Sequence, residues 1–329
     1  MTQPDPAQEA RDALEFAILG HSPHWTSADV AESSGVSVEQ ARRLWRALGF
    51  PDAGDYAAFT DADLEALGTL TGAVNIGAID FDTAVRLTRA VGRTMARLAD
   101  WQVGTLTARV ETLESGDEAT GSRMGAALRL AEQVGVPFEE LLIYAWRRHL
   151  AAAVGRVEAL GSADEDLHKT QVTVGFADLV SFTALSNQMD EDLIGDMVEV
   201  FESRCADVVA SRHGRVIKTL GDSVLFISED PVHGIEIALN IIEVIGKDSR
   251  LPDVRVGLST GSVVLRLGDV FGPAVNMAAR LTGVARRNRV ITDHLTADLL
   301  PSDQFSTRVL PGRPLRGFGI VEPVAVRRH

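Results

Sequence analysis

The sequence predicts two domains of different class. The first half is all-α with a helix-turn-helix-like start, and the second is α/β (α+β) on a ferredoxin-like βαββαβ core. Three observations predict this. A chain of 329 residues is long enough for two ordinary domains. Up to about residue 160 the apolar residues recur at helical spacing, whereas beyond residue 170 short β-type runs alternate with helical stretches. Between the two textures lies a small, polar stretch at 161–166, which sets the expected domains at 1–165 and 166–329.

In the first half, two short helices are expected at 28–35 and 37–48, joined by a turn at Gly35. Ser37 is placed to cap the second, with Gln40 three residues on as its capping-box partner. A third helix is expected at 61–70, capped by Thr60, and longer ones at 82–114 and 121–133. Pro137 is expected to open a further helix over 137–160 that leads into the second domain. In the second half, strands are expected at 171–176, 215–220, 223–228 and 254–259, with helices at 191–212 and 232–247. Gly221-Asp222 reads as the turn of a hairpin. A helix at 275–286 and strands at 290–291 and 323–327 complete the sheet. The order strand-helix-strand-strand-helix-strand is the split βαβ pattern.

Composition narrows the function classes. The formal net charge of −14 opposes nonspecific nucleic-acid binding, which needs Lys and Arg against phosphates. The acidity is uneven, with 14 Lys/Arg against 25 Asp/Glu in residues 1–165 and 18 against 21 in 166–329. No apolar run is long enough to cross a bilayer, and the polar, acidic stretch 1–6 does not read as a signal peptide. The lone cysteine, Cys205, excludes an intrachain disulfide and suits the cytoplasm, the expected location.

Three segments carry chemistry. In Phe176-Ala177-Asp178-Leu179-Val180-Ser181-Phe182-Thr183 an apolar strand ends in a carboxylate, a group that is costly to bury unless it is paired or holds a metal. In Lys218-Thr219-Leu220-Gly221-Asp222-Ser223 a second carboxylate sits at the hairpin tip. If the two strands are neighbours, Asp178 and Asp222 converge at one end of the sheet, a pairing that suits divalent ions held with substrate phosphates. Taken alone, an Asp at a hairpin is more often an ordinary turn residue. The third segment, Gly268-Asp269-Val270-Phe271-Gly272-Pro273, leads into a helix on which Asn276 and Arg280, four apart, share a face. An amide and a guanidinium side by side can hold a ribose oxygen and a phosphate oxygen.

Together the three segments resemble the class III nucleotidyl cyclases, over roughly residues 171–327. The resemblance implies that Asp178 and Asp222, with the carbonyl of Leu179, ligate two ions per site, Mg²⁺ or Mn²⁺. It implies that Lys218 and Asp269 read the base, Asn276 orients the ribose and Arg280 stabilises the pentavalent transition state. Pro314-Leu315-Arg316-Gly317-Phe318 is similar to the family segment whose basic residue meets the triphosphate, although Arg316 stands where lysine is common. For the base, Asp269 can accept from adenine N6 and Lys218 can donate to N1, whereas guanine reverses both polarities. A buried mismatch costs about 1–3 kcal/mol per unsatisfied group, so ATP is favoured over GTP. The expected reaction is adenylate cyclisation of ATP to 3′,5′-cyclic AMP and pyrophosphate. In the resembling family the metal carboxylates and the base-reading residues of one site come from different subunits, which implies a homodimer with two equal sites.

The stretch 26–51 looks like the front of a MerR-type DNA-binding domain, with Arg42, Arg43 and Arg46 on the second helix. The excess of acid in this half disfavours DNA binding. The first half also resembles the helical regulatory domains that precede soluble actinobacterial-type cyclases, which implies an autoinhibitory or other regulatory module acting through the helix at 137–160. A small molecule, a lipid, or pH acting through His149 or His168 are the candidate signals.

Overall fold

The computed structural model describes residues 6–52, 54, 56–115, 122–160, 169–266 and 268–329. Its contacts divide the chain into Met1–Ala153 and Val154–His329, which are taken in turn. The expected boundary stretch at 161–166, and His168, lie outside the described residues.

The first unit is helical: α1 (Pro6–Leu19), α2 (Ser27–Ser33), α3 (Val38–Leu48), α4 (Asp61–Asn75), α5 (Phe81–Glu114) and most of α6 (Arg123–Leu160). Thr26 and Ser37 both form capping boxes. The Gln40 N–H donates to Ser37 Oγ at 3.2 Å, and the Ser37 N–H donates to Gln40 Oε1 at 3.0 Å. Gly35, at φ 68°, makes the left-handed turn between α2 and α3. Buried residues of α2, α3, α4 and α5, with Phe59 from the segment before α4, meet in one core of Val30, Leu44, Trp45, Phe59, Leu67 and Val85. Residues 121–133 and 137–160 were expected as two helices, with the second as the coupling element. The structure instead runs α6 through Pro137 without a break. A proline removes one N–H donor from the helix ladder, and in a helix of 38 residues the flanking turns keep the remaining bonds.

In the second unit, β1 (Lys169–Leu179), α7 (Phe182–Ser186), α8 (Glu191–Ser211), β2 (Arg215–Leu220), β3 (Ser223–Ser228), α9 (Pro231–Gly246) and β4 (Val254–Arg266) form the ferredoxin-like core. Then follow β5 (Asp269–Phe271), α10 (Pro273–Val284), β6 (Val290–Thr292), α11 (His294–Ala297), β7 (Phe305–Val309), β8 (Arg313–Leu315), β9 (Gly319–Val321) and β10 (Val324–Arg328). The sheet order is β2-β3-β1-β4-β6-β10-β7, with β5 paired to β4, while β8 and β9 make a separate hairpin. Residues 323–327 were expected to close the sheet, but β7 pairs outside β10 and forms the edge. Its Ser306, Thr307 and Arg308 are exposed, so the apolar alternation that marks a strand in sequence is missing.

Side chains of β1 alternate between two cores. Val172 and Val174 pack with Ala274 and Ala278 of α10 on one face, while Ala177 and Leu179 pack with Phe201 of α8 and Ile241 of α9 on the other. Two glycines permit the close approaches. A Cβ on Gly175 would lie 2.2 Å from the Phe226 ring, and one on Gly257 would lie 2.3 Å from the Thr282 backbone nitrogen, where α10 crosses β4. Among the described residues no helix is long and apolar enough to cross a membrane.

Candidate active site

The antiparallel register of β1 with its two neighbours fixes the first cluster. Asp178 stands opposite Ser223 of β3 and opposite Arg255 of β4. Asp222 precedes Ser223 in the turn, and the Leu179 N–H donates to the Asp222 carbonyl at 3.0 Å. One strand end and one hairpin tip are thereby locked together, and the two carboxylates come close enough to act on each other. Burial pushes the Asp222 carboxyl above the usual carboxylate range, the negative charge of Asp178 adds to this, and Arg255 partly offsets it. Leu179 itself is buried.

Asp178 is held from two sides. Ser223 Oγ donates to Oδ1 at 2.5 Å, and Arg255 Nε donates to Oδ2 at 2.7 Å, with Nη2 at 2.6 Å from the same oxygen. Neither Ser223 nor Arg255 was among the residues expected from sequence. Their signal is pairing register alone, since Arg255 lies 77 positions from its partner. Arg255 Nη1 also reaches the Gly283 carbonyl at the end of α10, at 3.4 Å.

The second cluster is the pair expected to read a base. Lys218 Nζ donates to Asp269 Oδ2 at 2.5 Å, and the Val270 N–H donates to Oδ1 at 2.8 Å. A register shift between Val216 and Lys218 gives β2 a bulge just before the lysine, a device that re-aims a side chain. Burial pushes the Asp269 carboxyl up, but the Lys218 and Val270 hydrogen bonds and the lysine charge outweigh it, and the net shift is downward. The pair is partly buried, and its remaining lysine hydrogens and carboxylate lone pairs are open to a ligand.

Asn276 and Arg280 both lie on the exposed face of α10, whose Ala274, Ala278, Leu281 and Thr282 are buried against the sheet. Arg316 is exposed at the tip of the β8–β9 hairpin, where the Phe318 N–H donates to the Leu315 carbonyl at 2.9 Å. Among the described residues, the side chains of Asn276, Arg280 and Arg316 have no hydrogen-bond or ion-pair partner. Within one chain, then, the eight expected positions form the Lys218–Asp269 contact, two carboxylates at one sheet end and three exposed polar side chains, with Leu179 buried between strands.

The three arginines of the helix-turn-helix-like segment are turned to acids of their own unit. Arg43 pairs with Asp82 at 2.9 Å, Arg46 with Asp52 at 3.3 Å, and Arg42 lies 3.8 Å from Asp52. That arrangement leaves little free charge for DNA phosphates.

Residues 165–322 match the family model for the adenylate and guanylate cyclase catalytic domain. The chain is 38% identical to an adenylate cyclase of Streptomyces coelicolor, across 99% of this chain and 94% of that protein. It is also 38% identical to an adenylate cyclase of Glutamicibacter nicotianae, across 97% of this chain and 83% of that protein. A rhodopsin-guanylyl cyclase catalytic core with converted specificity, solved with ATPαS, aligns with a TM-score of 0.47 and 22% identity, over 49% of this chain and 98% of its own. Likeness that runs through both units at this identity places the chain in a family: it belongs to the class III nucleotidyl cyclases, the adenylate and guanylate cyclases.

Proposed function

We propose that this chain is an adenylate cyclase that converts ATP to 3′,5′-cyclic AMP and pyrophosphate at sites shared between two copies. The observation that carries the reading is the meeting of Asp178 and Asp222 at one sheet end, in a chain that also holds a formed Lys218–Asp269 pair. The first pair suits divalent cations. Burial and the negative charge of Asp178 hold the Asp222 carboxyl above its usual range, a penalty that a dication relieves, and the oxygens of Asp178 are oriented by Ser223 and Arg255. Asp178, Asp222 and the Leu179 carbonyl would hold two ions, Mg²⁺ or Mn²⁺, which when bound acidify the ribose 3′-hydroxyl and neutralise the leaving pyrophosphate.

The remaining roles belong to side chains. Asp269 accepts from adenine N6 and Lys218 donates to N1. Asn276 holds the ribose so that its 3′-oxygen lies in line with the α-phosphorus. Arg280 faces the charge that grows on the α-phosphate, and Arg316 binds the triphosphate tail with forked geometry. Two facts support a shared site. Asn276 and Arg280 point to solvent in the single chain. On α6, the exposed Val136, Ile143 and Leu150 recur every seven residues, with exposed Trp146 beside them, a pattern that pairs helices of identical chains.

Residues 1–165 act as the regulatory domain and 166–329 as the catalytic domain, with α6 leading from the first toward the second. The relatives from Streptomyces and Glutamicibacter carry both parts under the name adenylate cyclase, which supports a single enzyme rather than a DNA-binding regulator. The test is cyclic nucleotide formation by the full chain with ATP and with GTP, each with Mg²⁺ or Mn²⁺. Cyclic AMP as the dominant product supports the reading. Cyclic GMP as the dominant product, or no product, refutes it.

A further inference from the structure

A cleft of about 520 Å³ in the second unit lies between the loop 285–289, β7 and the start of β8, and it touches none of the residues assigned above. Five arginines line it: Arg286, Arg287 and Arg289 from the loop, Arg308 from β7 and Arg313 from β8, over a floor that includes Ile291. No Asp or Glu is among its lining residues. Among the described residues, the ion pairing of these five is confined to Arg287, whose Nη1 is 3.5 Å from Asp253 Oδ2, and that carboxylate also accepts from Asn288. Like charges around one concavity repel, and a bound anion or added salt relieves the repulsion. In a chain of net charge −14, five arginines around one cleft with no acid in its lining are the opposite of the average surface.

We propose that this arginine cleft binds a small polyphosphate anion. Guanidiniums arriving from three elements around one concavity match several phosphate groups at once, each in forked geometry. The concave form and limited volume favour a compact anion over a long nucleic acid, which the acidic remainder of the chain repels. The cleft also begins beside the catalytic sheet end. The backbone carbonyl of Asp253, whose carboxylate pairs with Arg287, accepts from the Val180 N–H at 2.8 Å, two residues past Asp178. A polyphosphate bound there sits next to the place where the proposed reaction takes up a triphosphate and releases pyrophosphate.

The test is isothermal titration of the full chain with inorganic triphosphate in EDTA, which removes metal-dependent binding at the carboxylate pair. The expected result is saturable binding by the wild type that weakens with added salt. In Arg286→Ala/Arg308→Ala it falls at least tenfold, while Arg212→Ala, at an exposed arginine outside the cleft, binds as the wild type does. Both substituted arginines are exposed, and an unchanged melting curve checks that the double variant is folded. The proposal is overturned by no binding in the wild type, by equal binding in the double variant, or by an equal loss in Arg212→Ala. Preferential binding of a 12-nucleotide single strand over triphosphate also overturns it, assigning the cleft to nucleic acid.

Discussion

Arg255 stands directly across the sheet from Asp178 and donates from Nε to its Oδ2 at 2.7 Å. The arginine holds the carboxylate in one orientation and offsets charge that Asp222 would otherwise feel in full. Arg255→Ala is therefore expected to lower cyclic AMP formation by at least tenfold. It is also expected to destabilise the chain by about 1–3 kcal/mol, the usual cost of stranding a largely buried polar group. Arg255→Lys keeps the charge but loses the second contact, and should recover stability more than activity. Chemical denaturation beside steady-state kinetics checks both.

Asp222 gives a prediction in which stability and activity move in opposite directions. Its folded-state pKa is raised, so its ionised form at neutral pH opposes folding when no cation is bound. Asp222→Asn should raise the melting temperature of the metal-free protein by about 1–3 °C while abolishing cyclisation. Calorimetry in EDTA measures the first effect and a cyclic AMP assay the second. A lower melting temperature would show that the turn needs the carboxylate for its own geometry.

For Asp269 the sign is reversed. Its folded pKa lies below the ordinary value of 3.8, so the Lys218 pair contributes stability above that value and loses it as pH falls through the depressed one. The difference in melting temperature between wild type and Asp269→Asn should be constant near neutrality and shrink below about pH 4. A pH series of thermal melts reads this directly.

Base choice should follow hydrogen-bond polarity. Lys218→Glu/Asp269→Ser offers an acceptor to guanine N1–H and a donor to O6. The ATP kcat/KM should fall at least a hundredfold, and the GTP-to-ATP ratio should rise by a similar factor, because two contacts change sign. Competition assays with both nucleotides measure it.

Gly257 tests the packing that seats α10. A methyl group there would lie 2.3 Å from a backbone nitrogen, which cannot swing aside. Gly257→Ala should cost about 1–3 kcal/mol and reduce activity by displacing the helix that carries Asn276 and Arg280. Denaturant titration gives the stability change.

Much of this architecture was legible in the sequence because the signals were local. The capping box at Ser37, the helix start at Thr60, the hairpin at Gly221-Asp222 and the β-type run of β1 each depend on neighbours a few residues apart. The meeting of Asp178 with Asp222 was also readable, since the hairpin and strand must be adjacent in a split βαβ unit. What escaped was long-range or short-lived in pattern. Arg255 and Ser223 matter only through register, β5 and β8 are three residues each, and β7 exposes most of its side chains. Pro137 misled for a physical reason: proline is at home at the first turn of a helix, yet a long helix tolerates one inside.

The central claim is a site shared between two copies of the chain, and subunit complementation tests it most directly. Asp222→Ala and Arg280→Ala are assayed separately and then after mixing, with ATP and Mg²⁺ or Mn²⁺. The account predicts little cyclic AMP from either variant alone and partial recovery in the mixture, because one of the two sites in a mixed dimer keeps every group. Recovery no greater than the sum of the two separate rates, with mixed dimers demonstrated by differential tags, would contradict it and place each complete site within a single chain.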